Sequence, residues 1–261
     1  MSSDAPRLHV DREGAGPLVV LAHGFAGSAR NFGPQARALR SRFRVIRYDA
    51  RGHARSEAPD DPSAYTPETF AGDLGRVIDA PAAAVGGLSM GAATALRFAL
   101  AHPERVRGVI LAAFPAGASA AGGIAAQATA FADAIERDGL DAAGERFAWG
   151  PTSGLDPGAA RLVRQGFLEH PPHGLVHTLR GVLANQPSVE ELAPSLGALA
   201  VPVLVIVGDR DRGSLAPSRA LAAALPSAHL VVVPGAGHIV NLERPAAFNA
   251  ALSTFLDRVA G

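Results

Sequence analysis

Cysteine is absent from the 261 residues, which excludes a disulfide framework, a thiolate nucleophile and a cysteine-based metal site. Lysine is absent too. All 24 cationic residues are arginine, so no step can run through a lysine amine. Tyrosine occurs only as Tyr48 and Tyr65, and tryptophan only as Trp149. Charge of either sign is not in excess: 24 acidic residues balance the arginines, and no net field draws nucleic acid or an anionic membrane. No apolar run approaches the ~20 residues of a membrane span. The stretch Met1–Val10 is polar and lacks the apolar core of a secretion signal. These absences leave a cytoplasmic protein as the expectation, with a small-molecule partner and without nucleic-acid or membrane partners. They leave its oligomeric state open.

What is present is apolar and regular. Hydrophobic residues make up 48% of the chain, enough for one large domain or a domain carrying an insert. Abundant Ala, Gly, Arg and Pro resemble the coding bias of a GC-rich bacterium and carry no mechanism. Short continuous apolar runs at Leu18–Ala22, Phe43–Tyr48, Ala82–Gly86, Val106–Ala112, Val201–Val207 and His229–Val233 read as strands covered on both faces. Leu8–Val10 reads as an extra edge strand. Helical patterns fill the gaps at Arg30–Arg40, Pro67–Ala80, Ser89–Ala101, Leu215–Leu225 and Pro245–Val259. This alternation predicts an α/β fold, a mostly parallel doubly wound sheet with helices on both faces.

The alternation stops between 114 and 199. Helical patterns around Gly122–Arg137, Leu140–Trp149, Ala159–Glu169 and Gly174–Asn185 replace it. The reading is a core of residues 1–113 and 200–261 with a helical cap at 114–199. Ile124, Phe131, Ile135, Leu140, Phe147, Trp149 and Phe167 give the insert apolar surface to pack, which argues against a disordered linker.

Chemistry enters at Gly87-Leu88-Ser89-Met90-Gly91. In a chain with 29 glycines the G-x-S-x-G pattern is weak alone. Here it closes an apolar run and opens a helical one, the context of a strand-to-helix elbow. Small flanking residues allow the tight turn, and the helix N-terminus favours developing negative charge. Ser89 is therefore the candidate nucleophile, and it needs a base. Of nine histidines, His238 follows the last strand in a glycine-rich loop that can reach it. His102 reads as a helix end, His53 as part of a polar turn and His229 as a strand start. His170, His173 and His177 look like a metal cluster, but Pro171 and Pro172 break the helical spacing and no carboxylates complete a site, so no metal is expected.

An acid must fix the histidine's tautomer. The strand ending at Val207 runs into Gly208-Asp209-Arg210-Asp211, between nucleophile and histidine in chain order. Asp211 is the favoured acid, with Asp209 as a turn-former. Residues 106–132 hold no Asp or Glu, which closes the alternative position after the preceding strand. The oxyanion needs donors. The loop His23-Gly24-Phe25-Ala26-Gly27 after the first long strand supplies the Phe25 N–H, and the elbow supplies the Met90 N–H.

His23-Gly24-Phe25, the run Asp49 to Ser56, the Ser89 elbow with His102-Pro103-Glu104-Arg105-Val106, and Gly208–Asp211 with His238 occur in this order. In this the chain resembles the α/β-hydrolase fold family. It is most similar to the branch of small bacterial esterases, 3-oxoadipate enol-lactonases and cofactor-free perhydrolases. The resemblance covers roughly residues 8–113 and 200–258. It departs from the family pattern at Ala54 and Arg55 in the R-G-x-G-x-S turn and at Arg212-Gly213 after the acid. It implies Ser89, Asp211 and His238 as a catalytic triad, with Phe25 and Met90 as oxyanion donors. Members with a covalent aspartate need Asp where this chain has Ser89, and lyases of this fold use a lysine that is absent. Carbon–carbon hydrolases often carry Trp after the histidine, where this chain has Ile239.

The expectation is a serine hydrolase cleaving a small carboxylic ester or lactone through an acyl-enzyme, with no cofactor. The alternatives are perhydrolysis or carbon–carbon hydrolysis on the same triad, or a non-catalytic receptor on this fold. The insert is expected to roof the site and set substrate choice, with Trp149 either as pocket wall or as the residue that packs the cap onto the core.

Overall fold

The structure, a computed structural model, describes residues 5–117, 124–151, 153, 155 and 157–260. Seven strands form one sheet: β1 (Val10–Glu13), β2 (Leu18–Ala22), β3 (Arg44–Tyr48), β4 (Ala83–Leu88), β5 (Val106–Ala112), β6 (Val203–Gly208) and β7 (Ala228–Val233). Their order is β1-β3-β2-β4-β5-β6-β7. β1 runs antiparallel to β3, and every other pairing is parallel. The edge strand anticipated at Leu8–Val10 is displaced toward Val10–Glu13, because its register follows Val10 opposite Tyr48 and not its own weak apolar pattern.

Ten helices accompany the strands among the described residues: α1 (Gly33–Leu39), α2 (Pro67–Val77), α3 (Met90–Ala101), α4 (Ile124–Gly144), α5 (Pro157–Phe167), α6 (Pro172–Gly181), α7 (Val189–Leu196), α8 (Leu215–Ala224), α9 (Val240–Glu243) and α10 (Pro245–Val259). The start of the pattern expected from Gly122 lies outside the described residues. α4 bends at Gly139, whose φ of 80° suits glycine. Sequence patterning passed over α7, although Ser188 and Glu191 form a capping box at its start.

Successive residues of a strand face opposite sides. In β2, Leu18, Val20 and Ala22 join one core cluster, while Val19 and Leu21 join another. The first cluster lies under α2, α3 and α8, the second under α1, α9 and α10. α10 shows the helical counterpart: Phe248, Leu252, Phe255, Leu256 and Val259 make one buried stripe. Truncating Leu252, which has no exposed surface, to Ala removes about 2–5 kcal/mol. α4, α5 and α6 leave the chain between β5 and β6 and build a third cluster of their own around Phe131, Ile135 and Phe167. α7 belongs elsewhere: Val189, Leu196 and Leu199 pack into the first sheet cluster. No described helix is long and apolar enough to cross a membrane.

Candidate active site

The carboxyl ends of parallel strands are where doubly wound sheets bind ligands. Four connections meet there. β4 ends at Leu88, and Ser89 turns the chain into α3 with φ 54° and ψ −113°. A non-glycine residue in that region is strained. The flanking glycines explain why the elbow fits: a Cβ at Gly91 would lie 2.1 Å from the Ala22 carbonyl oxygen, and one at Gly87 2.4 Å from the same atom. The Ser89 hydroxyl caps nothing in its own helix and lines a cavity of about 630 Å³. The Met90 N–H, at the first turn of α3, has no intrahelical acceptor. Its side chain is buried in the core.

β6 leads into the two candidate acids. Asp209 is exposed and accepts the Gly235 N–H at 2.7 Å, which ties the loop after β7 to the loop after β6. Asp211 is turned the other way. Its Oδ2 lies 2.8 Å from Nδ1 of His238, and its Oδ1 accepts the Ser214 N–H at 3.1 Å. The Ser214 hydroxyl lies 3.3 Å from the same imidazole nitrogen. Burial by itself pushes the Asp211 carboxyl up. The bonds from His238 and Ser214 outweigh it and hold the pKa below the ordinary aspartate range. His238, with Nδ1 committed, lines the same cavity as Ser89.

Two supports escaped the sequence. Ser214 is one. Glu243 is the other: its Oε2 accepts the Gly237 N–H at 2.9 Å and its Oε1 the Ile239 N–H at 3.0 Å, so one carboxylate grips the backbone on both sides of His238. The only signal in the sequence is an acidic residue shortly before Pro245, where a helix begins.

The loop after β2 closes the site from the opposite side. Gly24, Phe25, Ala26 and Gly27 all line the cavity, and the Phe25 N–H finds no acceptor within the loop. His23 is buried beneath. Its Nε2 accepts the Ala50 N–H at 2.9 Å and its Nδ1–H donates to the Gly24 carbonyl at 2.7 Å. Burial outweighs that bond and pushes its pKa down to about 4. The Phe25 ring meets Phe131 edge-on at 5.8 Å, so the loop packs against α4.

The roof comes from α4 to α6. Phe131 is stacked between Phe147 at 4.8 Å and Phe167 at 5.7 Å, and all three rings face the cavity. Trp149, the expected wall, is not among the lining residues. It ends a π-helical turn and packs on Gly144, where a Cβ would lie 1.9 Å from its ring, and edge-on against Phe167 at 5.2 Å. Phe147 holds the wall position in its place. Among the described residues, Glu169 and Asp211 are the charged ones of the lining apart from histidines, and no arginine is among them.

Of the three clustered histidines, His173 and His177 stay edge to face at 6.1 Å, while His170 turns into the interior. His170 is buried and bonds two backbones, His173 donates to the Ala58 carbonyl at 3.1 Å, and His177 packs on Tyr65 at 5.2 Å. Among the described residues no group of three His, Asp or Glu is placed to hold a metal ion.

The sequence matches the profile of the Alpha/beta hydrolase family over residues 19–251. A Bacillus subtilis protein provisionally named 2-succinyl-6-hydroxy-2,4-cyclohexadiene-1-carboxylate synthase is 32% identical over 98% of this chain and 97% of its own. Among solved structures, a thermophilic esterase from Thermogutta terrifontis superposes with a TM-score of 0.86 at 29% identity, over 98% of this chain and 95% of that one. The enol-lactonase from Burkholderia xenovorans superposes at 0.84, also at 29% identity, over 97% and 98%.

Proposed function

The chain belongs to the alpha/beta hydrolase family, and from that premise we propose that it is a serine hydrolase of small, uncharged carboxylic esters or lactones. The observation that carries this is one cavity lined by the strained Ser89 and by His238, whose far nitrogen is bonded to the buried Asp211.

In the proposed reaction the Ser89 Oγ attacks the substrate carbonyl carbon while its proton passes to Nε2 of His238. The anionic Asp211 stabilises the imidazolium. The new oxyanion accepts from the Phe25 and Met90 N–H groups, which oppose charge that exists only after attack. Collapse breaks the bond to the alkoxide, which takes the proton from Nε2 and leaves. His238 then deprotonates a water molecule that attacks the acyl carbon, and Ser89 departs with its proton restored. No step needs a metal or an organic cofactor. α4 to α6 act as the cap that shapes the acyl pocket.

The substrate's charge is read from the lining. The name of the Bacillus subtilis relative contains a succinyl group and a carboxylate. Among the described residues no arginine lines this cavity, and the chain contains no lysine. Arg30, beside the rim, is already paired with Glu169. A carboxylate bound inside would lack a counter-charge. Three stacked phenylalanine rings favour an apolar acyl group instead.

A fluorophosphonate probe should label the wild type on Ser89, and Ser89→Ala should abolish ester turnover without loss of folding. Residual activity above a trace in that variant overturns the reading. Peroxide and carbon–carbon substrates in the same panel separate the rival uses of this triad, and turnover of none of them favours a receptor.

A further inference from the structure

The chemistry above leaves a second group of imidazoles unused at the same end of the sheet. The rings of His23, His53 and His170 are buried side by side, with His53 centred 5.1 Å from His23 and 5.3 Å from His170. His23 and His53 come from loops of the sheet. His170 comes from the helical segment, between α5 and α6.

The hydrogen bonds of His170 set it apart. Its Nδ1 accepts the Ala54 N–H at 2.7 Å, and its Nε2–H therefore donates to the Ala26 carbonyl, at 2.9 Å. Both partners are left-handed non-glycine residues: Ala26 has φ 52° and Ala54 φ 45°. Such residues persist only when their surroundings over-determine them. One ring therefore stabilises two strained turns. Ala26 directly follows Phe25, whose N–H is one of the two oxyanion donors proposed above. The neighbouring Glu169 pairs with Arg30, so two adjacent residues grip the loop at two points. Both His170 nitrogens are spent on backbone. The ring lines the cavity yet has no donor or lone pair left for a substrate.

We propose that His170 is a positioning residue for the oxyanion loop, holding the Phe25 N–H in its working place through the Ala26 carbonyl and so tying catalytic competence to the seating of the helical segment. This rests on the serine-hydrolase reading above. A displacement of about 1 Å in such a donor can cost about a hundredfold in rate, and loss of one donor about 10²–10³.

Three variants separate the two bonds. In His170→Gln the amide nitrogen replaces Nε2 and keeps the bond to Ala26. In His170→Asn the shorter amide keeps an acceptor for Ala54 and loses Ala26. His170→Phe keeps an aromatic ring and loses both. The expected result is kcat within about threefold of wild type for Gln, and about ten- to a hundredfold lower for Asn and Phe, with KM nearly constant. A boronic acid, whose tetrahedral adduct on Ser89 uses the oxyanion donors, should weaken by the same factor. A neutral ketone bound without addition should not. The proposal is overturned if Phe keeps kcat within threefold, if Gln falls as far as Phe, or if boronate and ketone weaken equally. Failure of the wild type to turn over esters or form a boronate adduct instead removes the reading on which it rests.

Discussion

Asp211 is almost wholly enclosed, with 6% of its side chain exposed, while the His238 ring bonded to it at 2.8 Å is 48% exposed. The carboxyl is thus kept from water while the imidazole lines the cavity, as the proposed acid and base would require. Asp211→Asn replaces an acceptor by an amide that favours the wrong tautomer. It should lower kcat by about 10⁴. Asp209→Asn, which alters only the bond to the Gly235 N–H, should leave kcat within a few-fold. Steady-state kinetics on both variants decides, and the reverse ranking refutes the assignment.

Acid should destabilise the fold before the carboxylates titrate. His23, His53 and His170 are all held neutral, their pKa values lowered chiefly by burial and, for His53, further by the two neighbouring imidazoles. The unfolded chain binds protons on them from about pH 6.5 downward. The folded chain does not bind one at His23 until about pH 4. Between those values the unfolded state takes up more protons, so stability is full above about 6.5 and falls as pH drops. Asp49, which faces this cluster, and Asp211 have lowered pKa values and remain ionised in that window. His23 alone accounts for a loss on the order of 2–3 kcal/mol, or about 5–10 °C in Tm, between pH 7 and 4.5, and the other two rings add to it. A Tm that is flat or rises on acidification would show that these rings are not buried neutral.

A carboxylate at the end of the acyl chain should be rejected. An aryl or alkyl ester and its isostere bearing a terminal carboxylate should differ by at least about 10² in kcat/KM, favouring the neutral one, since no arginine is among the described lining residues to offset desolvation. Equal turnover of the two would mean that an arginine from outside the lining reaches the bound acyl group, and the uncharged-substrate reading would be withdrawn.

Phe147 and Trp149 should behave oppositely. Phe147→Ala opens the wall and should shift the preference between short and long acyl chains by about 1–3 kcal/mol in transition-state terms. Trp149→Ala should cost about 3 kcal/mol of stability and slow every ester alike. Chain-length profiles alongside thermal melts test both, and a profile that moves only in the Trp149 variant reverses the roles.

Local pattern in the sequence carried much of this protein. Continuous apolar runs and period-3.6 patterns lie within single elements, so six strands and the flanking helices were legible, as was the elbow whose glycines bracket Ser89. A glycine-rich loop after the last strand marked His238 in the same way. What the sequence left open are choices that turn on facing. Asp209 and Asp211 leave the same strand end, and only the fold turns one carboxyl toward Gly235 and the other toward His238. Phe147 and Trp149 share a π-helical turn, and its geometry sends one ring to the cavity and the other onto Gly144. Glu243 and His170 act on backbone groups, which have no sequence signature of their own, and the Ala26 carbonyl lies 144 positions from His170. The sequence determined which chemical groups are available and which elements carry them. The tertiary structure decided which of them meet, because those contacts join segments whose local patterns contain no information about one another.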